Sequence, residues 1–182
     1  MRVIAGTARS IPLQTVKGSK TRPTTDRIKE TLFNMISDRI PGAVFLDMFS
    51  GSGQIGIEAL SRSAKTAVFV DSDRDACRCI QHNLGKTHLS DKARVFCKKA
   101  DSYINSAGSD SVFDIVYLDP PYDMPDQEAL LKAVAESGLL ARDGLVILEA
   151  KAGYTFDEEA VLPLEAVRIK EYKTNQHIFF QI

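Results

Sequence analysis

Three acidic residues close short apolar segments that are typical of buried β-strands. They are Asp47, Asp71 and Asp119. In open α/β sheets, ligands bind in a crevice at the carboxyl ends of the strands. Acids also follow strands as turn formers or helix caps, so one such residue alone carries little weight. Three of them, taken with the loops described next, predict a crevice lined by carboxylates.

A glycine-rich loop follows the first of these acids. Gly51, Gly53 and Gly56 form a G-x-G-x-x-G pattern between a predicted strand and a predicted helix. Glycines permit a tight turn and let a ligand approach the backbone closely. Asp71 stands 20 residues after Gly51, where an acid can accept hydrogen bonds from ribose hydroxyls. The pattern predicts a nucleoside-containing cofactor and leaves open nicotinamide dinucleotide or S-adenosylmethionine.

The tetrapeptide Asp119-Pro120-Pro121-Tyr122 ends the fourth predicted strand. A rigid Pro-Pro turn is one interpretation. The other is activation of an exocyclic amine, whose lone pair is delocalised into its base. If Asp119 and the Pro120 carbonyl accept its two N–H groups, the nitrogen can become tetrahedral, and the prolines hold this geometry. Asp119 also compensates charge developing on the nitrogen, and Tyr122 offers a face for base stacking.

These motifs resemble those of a known enzyme family. Residues 119–122 resemble the D/N-P-P-Y motif of amino-group methyltransferases, and residues 49–53 resemble their S-adenosylmethionine loop. Two further blocks, 22–34 and 56–62, are similar to the RsmD family, ribosomal RNA small subunit methyltransferase D. The resemblance extends over nearly the whole chain. It implies a Rossmann-like class I S-adenosylmethionine-dependent methyltransferase that modifies the N2 amine of a guanine in 16S rRNA.

The predicted site divides into three groups of residues. We expect the catalytic residues to be Asp119, Pro120 and Tyr122. The predicted cofactor-binding residues are Asp47, Phe49, Ser50, Gly51, Ser52, Gly53, Asp71 and Asp101. The predicted RNA-binding residues are Arg9, Lys17, Lys20, Arg22 and Pro121. Alternatively, Arg22 could contact the carboxylate of the cofactor together with Thr24. No metal site is predicted.

The chain departs from the pattern of the family at three places. Ser10-Ile11-Pro12 stands where relatives carry more glycine and basic residues, which predicts a weaker grip on RNA. Lys99-Ala100 replaces an acid that contacts the adenine amine in the family, so Asp101 is the candidate substitute. Residues 174–176 lack the glycine expected before the last strand.

Alternating strand and helix patterns predict the scaffold that places these residues. Predicted strands are 44–47, 67–71, 93–97, 113–119 and 145–149, followed by 166–172 and 177–182 without a helix between them. The first predicted helix begins at Thr24 or Thr25 and ends before Pro41. Four further helices are predicted, at 54–62, 74–88, 101–106 and 126–137. A capping box of Ser72 and Asp75 is expected to open the helix at 74. The pattern predicts a doubly wound α/β domain, mostly parallel, with antiparallel C-terminal strands at the sheet edge.

Charge is distributed unevenly along the chain. Residues 1–29 contain seven basic residues and one acid, giving +6, whereas the remainder carries −7. A basic segment on an acidic body predicts a polyanionic partner, although a solvated terminus is the alternative. Residues 3–16 read as a short hairpin or extended arm. We therefore predict a basic N-terminal arm over 1–22 and a methyltransferase domain over 23–182.

Composition narrows the class of protein. The 182 residues are 44% hydrophobic and 26% charged, as expected of one globular domain. Neither a membrane span nor a secretory signal is predicted. The three cysteines form no C-x-x-C pair, which favours reduced thiols over a zinc site. We expect a cytoplasmic monomer that acts on 16S rRNA, either naked or within the small ribosomal subunit.

Several alternatives remain at the level of sequence. An N6-adenine methyltransferase of DNA or RNA shares the tetrapeptide, but residues 1–43 are too few for a separate recognition domain. A protein glutamine methyltransferase favours Asn at position 119, and a nicotinamide-dependent oxidoreductase leaves residues 119–122 without a role. A catalytically silent rRNA-binding assembly factor is disfavoured by the intact Asp119 and glycine loop.

Overall fold

The computed structural model of the chain describes residues 1–16, 25–106 and 112–182. Within these ranges, helices alternate with strands as the sequence predicts. The helices are α1 (Asp26–Met35), α2 (Gln54–Ser61), α3 (Arg74–Thr87), α4 (Ala100–Ser106) and α5 (Gln127–Glu136), with a 3₁₀ turn at Ser90–Lys92. The strands are β1 (Val44–Met48), β2 (Thr66–Asp71), β3 (Ala93–Cys97), β4 (Phe113–Leu118), β5 (Leu140–Lys151), β6 (Glu165–Glu171) and β7 (Asn175–Gln181).

The described strands form one sheet in the order β3-β2-β1-β4-β5-β7-β6. The first five strands of the chain pair in parallel, and β7 pairs antiparallel with both β5 and β6. This confirms the predicted sheet with antiparallel C-terminal strands. The chain order reverses between β1 and β4, and ligand sites of open α/β sheets lie at such a switch point.

Apolar side chains cover both faces of the sheet. Neighbouring residues of a strand point to opposite faces. Phe45 and Phe69 therefore belong to one buried cluster, together with side chains of α1, α2 and α3. Leu46 and Val70 belong to a second buried cluster, together with side chains of α4 and α5. Burial on both faces explains why the central strands are nearly continuous apolar runs.

The predicted N-terminal hairpin is present as a short, packed segment. Arg2 and Pro12 form an antiparallel bridge. Val3, Ala8 and Leu13 are buried in the cluster that α1, α2 and α3 share, so the hairpin contributes side chains to the core. The division between an arm and a domain at residue 22 falls outside the described residues and stays a prediction.

A buried ion cluster fastens this hairpin to the domain. The carboxylate of Glu58 on α2 accepts hydrogen bonds from the backbone N–H groups of Ile4, at 2.8 Å, and Ala5, at 3.0 Å. The same carboxylate lies 3.1 Å from Lys29 Nζ and 2.8 Å from Arg62 Nε. Burial lowers the pKa of Lys29, and the Glu58 carboxylate opposes that shift. One side chain thus joins the hairpin, α1 and α2.

Helix α1 begins as predicted but ends earlier. Thr25 is confirmed as an N-cap, since its side chain accepts the Ile28 N–H at 3.4 Å. However, α1 ends at Met35 and does not continue to Ile40. The Ser37 hydroxyl donates to the Asn34 carbonyl at 3.1 Å, a local bond of the kind that competes with helix continuation.

The predicted capping box of Ser72 and Asp75 is wrong. Asp73 is the N-cap of α3, and its side chain accepts the Asp75 N–H at 2.8 Å. The backbone N–H of Asp73 in turn donates to the carboxylate of Asp71 at 2.9 Å. The N-cap of α3 is therefore Asp73, one residue later than the predicted cap, Ser72.

No helix among the described residues is long and apolar enough to cross a membrane. They contain no group of three or more His, Cys, Asp or Glu side chains placed to hold a metal ion. Cys77 and Cys79 are buried free thiols, and Cys97 is an exposed one.

Candidate active site at the carboxyl edge of the sheet

The three acids predicted from the sequence lie at one edge of the sheet. Asp47 lies within β1, Asp71 is the last residue of β2, and Asp119 directly follows β4. These strands are adjacent, because β1 pairs in parallel with both β2 and β4. The carboxyl ends of parallel strands meet at the same edge, so the acids share the predicted crevice.

The loop between β1 and α2 turns sharply through unusual backbone conformations. The φ angles are 59° at Phe49, 55° at Gly51 and 75° at Gly53. Positive φ suits glycine but is uncommon for a bulky residue, so the loop holds Phe49 in a strained conformation. The Gly53 N–H donates to the Ser50 carbonyl at 2.7 Å, which closes the turn.

The Ser50 side chain stabilises the loop between β1 and α2. Its hydroxyl donates to the Asp47 carbonyl at 2.5 Å and accepts the Val70 N–H at 3.0 Å. The side chain therefore ties the end of β1 to β2. Its predicted contact with a cofactor is not needed to account for the position of the hydroxyl.

Asp47 is buried directly beneath the loop. Its carboxylate accepts the Gly56 N–H at 2.8 Å. Burial raises the pKa of Asp47 to about 8, and the nearby Asp71 adds to the shift. A Cβ atom at Gly56 would lie 2.4 Å from the ring of Phe69, so this glycine allows α2 to approach β2.

Asp71 links the glycine loop to the start of α3. Its two carboxylate oxygens accept the Gly51 N–H, at 2.8 Å, and the Asp73 N–H, at 2.9 Å. A carboxylate oxygen has two lone pairs, so both atoms retain acceptor capacity. Asp71 is half-buried beside the loop, which suits a carboxylate that binds ribose hydroxyls.

Asp119 stands between two other acids. Burial raises the pKa of Asp119 well above its usual value, and the Glu149 and Asp47 carboxylates add to the shift. Its backbone N–H reaches the Met48 carbonyl at 3.4 Å, which places the residue against the end of β1. Electrostatics therefore disfavours a second negative charge here and favours a cationic or hydrogen-bond-donating ligand.

The rest of the tetrapeptide forms a turn open to solvent. Pro120 is buried and Pro121 is exposed. The Pro121 carbonyl accepts the Met124 N–H at 2.8 Å. The Tyr122 side chain is 48% exposed, large for an aromatic ring, and this leaves a face available for stacking.

Glu149 at the end of β5 is a site residue that the sequence prediction missed. It accepts a hydrogen bond from the Tyr117 hydroxyl at 2.5 Å and another from Asn175 Nδ2 at 2.7 Å, and His177 Nε2 lies 3.2 Å away. Burial raises the pKa of Glu149, but the His177, Tyr117 and Asn175 hydrogen bonds outweigh it, so the pKa lies below its usual value. Glu149 also ends an apolar strand, which is the signal that identified the other acids.

Glu149 lies near the tetrapeptide. Burial and the charges of Glu149 and Asp119 raise the pKa of the Tyr122 phenol group. The phenol group is therefore close enough to both carboxyl groups to be affected by their charge.

The site has the features expected around a nucleoside cofactor. Gln54 Oε1, in the first turn of α2, is buried without a hydrogen-bond partner. A Cβ atom built at Gly51 meets nothing within 4 Å, so the space beside this glycine is open. The site therefore suits a ligand that carries hydrogen-bond donors and a positive charge. Gln54 Oε1 and the carboxyl groups would accept the hydrogen bonds, and the open space beside Gly51 would admit the ligand.

The remaining predicted residues occupy separate positions. Asp101 is exposed in the first turn of α4. Ser52 accepts, through its carbonyl, a hydrogen bond from Asn83 Nδ2 at 2.9 Å. Arg9 is exposed in the N-terminal hairpin. The predicted RNA-binding residues Lys17, Lys20 and Arg22, together with Thr24, lie outside the described residues.

Comparison with known proteins agrees with this geometry. The family model "Conserved hypothetical protein 95" matches residues 1–181. The chain is 39% identical over 164 residues to YlbH of Bacillus subtilis, named as a candidate rRNA methyltransferase, covering 90% of this chain and 86% of the relative. It is 32% identical to ribosomal RNA small subunit methyltransferase D of Haemophilus influenzae, and the match covers 96% of this chain and 89% of the relative.

A solved structure agrees as well. The protein yhhF of Escherichia coli, named as a candidate methyltransferase, superposes with a TM-score of 0.85 at 32% identity, covering 100% of this chain and 97% of that one. The fold and site therefore define a Rossmann-like methyltransferase. Within that class, the chain belongs to the RsmD family, ribosomal RNA small subunit methyltransferase D.

Proposed function

We propose that the protein transfers a methyl group from S-adenosylmethionine to the N2 amine of a guanine in 16S rRNA. The observation that carries the proposal is Asp119, a half-buried carboxyl group at the switch point of the sheet, followed by two prolines and an exposed tyrosine. Family membership supports methylation of small-subunit rRNA. The tetrapeptide supports an exocyclic amine as the acceptor.

The proposed role of Asp119 is positioning and charge compensation. The Asp119 carboxylate and the Pro120 carbonyl accept the two N–H groups of the amine, which frees the nitrogen lone pair from the ring. An amine proton of guanine is far too weakly acidic for a carboxylate to remove first. The proton therefore leaves during or after formation of the N–C bond, while Asp119 offsets the positive charge on nitrogen.

Tyr122 is proposed to hold the base. Tyr122 is 48% exposed and directly follows the two prolines, three residues after Asp119. A base turned out of its stack gains about 1–3 kcal/mol from stacking on an aromatic ring. Stacking on Tyr122 would therefore hold the base beside Asp119.

The glycine loop, Asp47, Asp71 and Gln54 are proposed to hold S-adenosylmethionine, which supplies an electrophilic methyl group on a positively charged sulfur. Asp71 accepts the ribose hydroxyls, and the backbone around Gly51 lies along the methionine end. The unpaired Gln54 Oε1 offers an acceptor at the same place. Asp101 on α4 is the candidate contact for the adenine amine.

Alternative functions are less well supported. An N6-adenine DNA methyltransferase normally needs extra mass for sequence recognition, whereas this chain matches rRNA methyltransferases along most of its length. A silent assembly factor has no need of buried acids with raised pKa values, because retaining them opposes folding.

Single-turnover transfer of labelled methyl to small ribosomal subunits that lack the modification tests the proposal. Asp119→Asn keeps one acceptor oxygen but loses the charge, and Asp119→Ala loses both. We expect the rates to fall in the order Asp, Asn, Ala, with the alanine variant slower by about a hundred-fold or more.

The control is the affinity of the same variants for S-adenosylhomocysteine. We expect the affinity to remain nearly unchanged, because Asp119 is proposed to face the base. Transfer by Asp119→Ala at the wild-type rate would overturn the proposed role of the tetrapeptide. Absence of RNA methylation by the wild-type protein would overturn the function itself.

A further inference from the structure

A row of basic side chains runs along the exposed face of α3. Arg74, Arg78, His82 and Lys86 are each exposed and are spaced four residues apart. Side chains four residues apart lie on the same face of a helix. With a rise of about 1.5 Å per residue, the row is about 18 Å long. We call these four residues the α3 row.

The end of the N-terminal hairpin is fastened beside the α3 row. The Gln14 N–H donates to Asn83 Oδ1 at 2.8 Å, and Asn83 Nδ2 donates to the Gln14 carbonyl at 3.0 Å. A surface cleft of about 410 Å³ lies between this segment and α3, lined in part by Arg78 and His82. The residues that follow Val16 in sequence include Lys17, Lys20 and Arg22.

The α3 row begins close to the candidate active site but outside the crevice. Arg74 is the first residue of α3, three positions after Asp71 at the end of β2. In the parallel layers of an α/β fold, a helix that follows a strand leads away from the carboxyl edge of the sheet. The row therefore leads from the crevice along the flank of the molecule.

The opposite face of the sheet has the opposite charge. Helix α5 carries Glu128 and Glu136 against one lysine, Lys132, and its N-cap is Asp126. Three consecutive exposed acids, at 157–159, lie in the segment after β5. Helix α3 and its N-cap carry Arg74, Arg78 and Lys86 against Asp73 and Asp75, so a polyanion is favoured at the α3 face relative to the α5 face.

We infer that the α3 row is a second RNA-binding surface, which contacts backbone phosphates of the substrate RNA next to the nucleotide held in the crevice. This inference rests on the proposed function, since it needs an RNA substrate. Contacts to phosphates orient a nucleic acid without reading its sequence, which suits a flat row of flexible charges. Arg78 forms an ion pair with Asp75 in the same helix, whereas Arg74 and Lys86, at the two ends of the row, form no ion pair with the described residues.

The test compares two double variants that remove the same charge. One variant carries Arg74→Gln and Lys86→Gln in the α3 row. The control carries Lys132→Gln and Arg142→Gln, which are exposed positions on α5 and at the start of β5. Binding of a fluorescently labelled transcript of small-subunit rRNA is measured by anisotropy at several salt concentrations.

We expect the α3 variant to bind RNA more weakly and with a flatter salt dependence. The slope of log K against log[salt] changes by about 0.7–0.9 per phosphate contact, so two lost contacts reduce it by about 1.4–1.8. The control variant keeps the wild-type slope. Methyl transfer at saturating RNA and the affinity for S-adenosylhomocysteine remain unchanged in the α3 variant, because neither position lies in the crevice.

Equal slopes for the α3 variant and the wild-type protein would overturn the inference while leaving the proposed function intact. An equal reduction of the slope in both double variants would also overturn it, because the effect would then follow net charge alone. A wild-type protein that binds no rRNA would overturn the proposed function instead.

Discussion

Asp47 is buried and Asp119 is half-buried in one crevice, and the loss of solvation raises the pKa of each. The pKa of Asp47 rises to about 8, so this group holds its proton at neutral pH in the absence of a ligand. A positive charge nearby favours the ionised carboxylate. Binding of a cationic cofactor in this crevice is therefore coupled to the release of protons.

This coupling predicts a pH dependence that distinguishes two closely similar ligands. S-adenosylmethionine carries a sulfonium cation, and S-adenosylhomocysteine carries a neutral sulfur at the same place. Between pH 6 and 9 the ionised fraction of Asp47 increases, because its pKa is about 8, so the affinity for the cation rises relative to that for the neutral ligand. We expect the ratio of affinities to grow by up to about tenfold per pH unit for each coupled proton.

Calorimetric titration of both ligands at pH 6, 7, 8 and 9 measures the ratio. Groups shared by the two ligands, such as the ammonium and carboxylate of the methionine end, cancel in the comparison. A ratio that stays constant across this range would place the sulfur away from Asp47 and Asp119.

Residue types alone predicted part of the candidate site. Asp47, Asp71 and Asp119 were predictable because each closes an apolar strand, and the structure brings them to one edge. Glu149 carries the same signal at the end of β5, and the prediction did not use it. Asn83 had no signal, since its partner Gln14 is 69 residues away in sequence and only the fold brings the two together.

At the scale of elements, the hairpin, α1 and α2 meet at one buried ion cluster. Glu58 and Lys29 side chains are both 0% exposed, and Glu58 accepts two backbone hydrogen bonds from the hairpin. Removing one partner of a buried pair leaves the other charge without compensation. The cluster is therefore one of the contacts that hold the N-terminal segment on the domain, beside the buried side chains of Val3, Ala8 and Leu13.

We predict that Glu58→Ala lowers the free energy of unfolding by about 3–5 kcal/mol. The matched control is Glu136→Ala, which breaks an exposed pair with Lys132 at 4.0 Å and is expected to change stability by at most about 1 kcal/mol. Urea denaturation of the two variants measures both effects. Equal losses of stability would show that the buried cluster contributes no more than a surface pair.

The element order was predictable because helical and strand periodicities alternate along the chain from residue 43 onward. The antiparallel pairing of the C-terminal strands followed from the absence of a helix between them. The insertion of β7 between β5 and β6 was not predictable, since it depends on which edge of the sheet each strand reaches. The end of α1 at Met35 was missed because Ile36 and Ile40 continue the apolar spacing while lying outside the helix.

At the scale of the whole molecule, the candidate active site lies at one edge of the sheet and the charged surfaces lie on either side of it. The glycine loop and the acids lie at the carboxyl ends of the strands, the hairpin packs beside them, and basic side chains follow along α3. Acidic residues occupy the face that α5 covers. This arrangement lets an RNA approach from one side while a small cofactor occupies the crevice.

The central claim is that this arrangement methylates the N2 amine of a guanine in small-subunit rRNA. Identification of the modified nucleoside tests it most directly. Small subunits lacking the modification are incubated with the protein and methyl-labelled S-adenosylmethionine, and the RNA is digested and analysed by mass spectrometry. We expect the label in N2-methylguanosine. Label in N6-methyladenosine, in ribosomal protein, or in no nucleoside would contradict the claim.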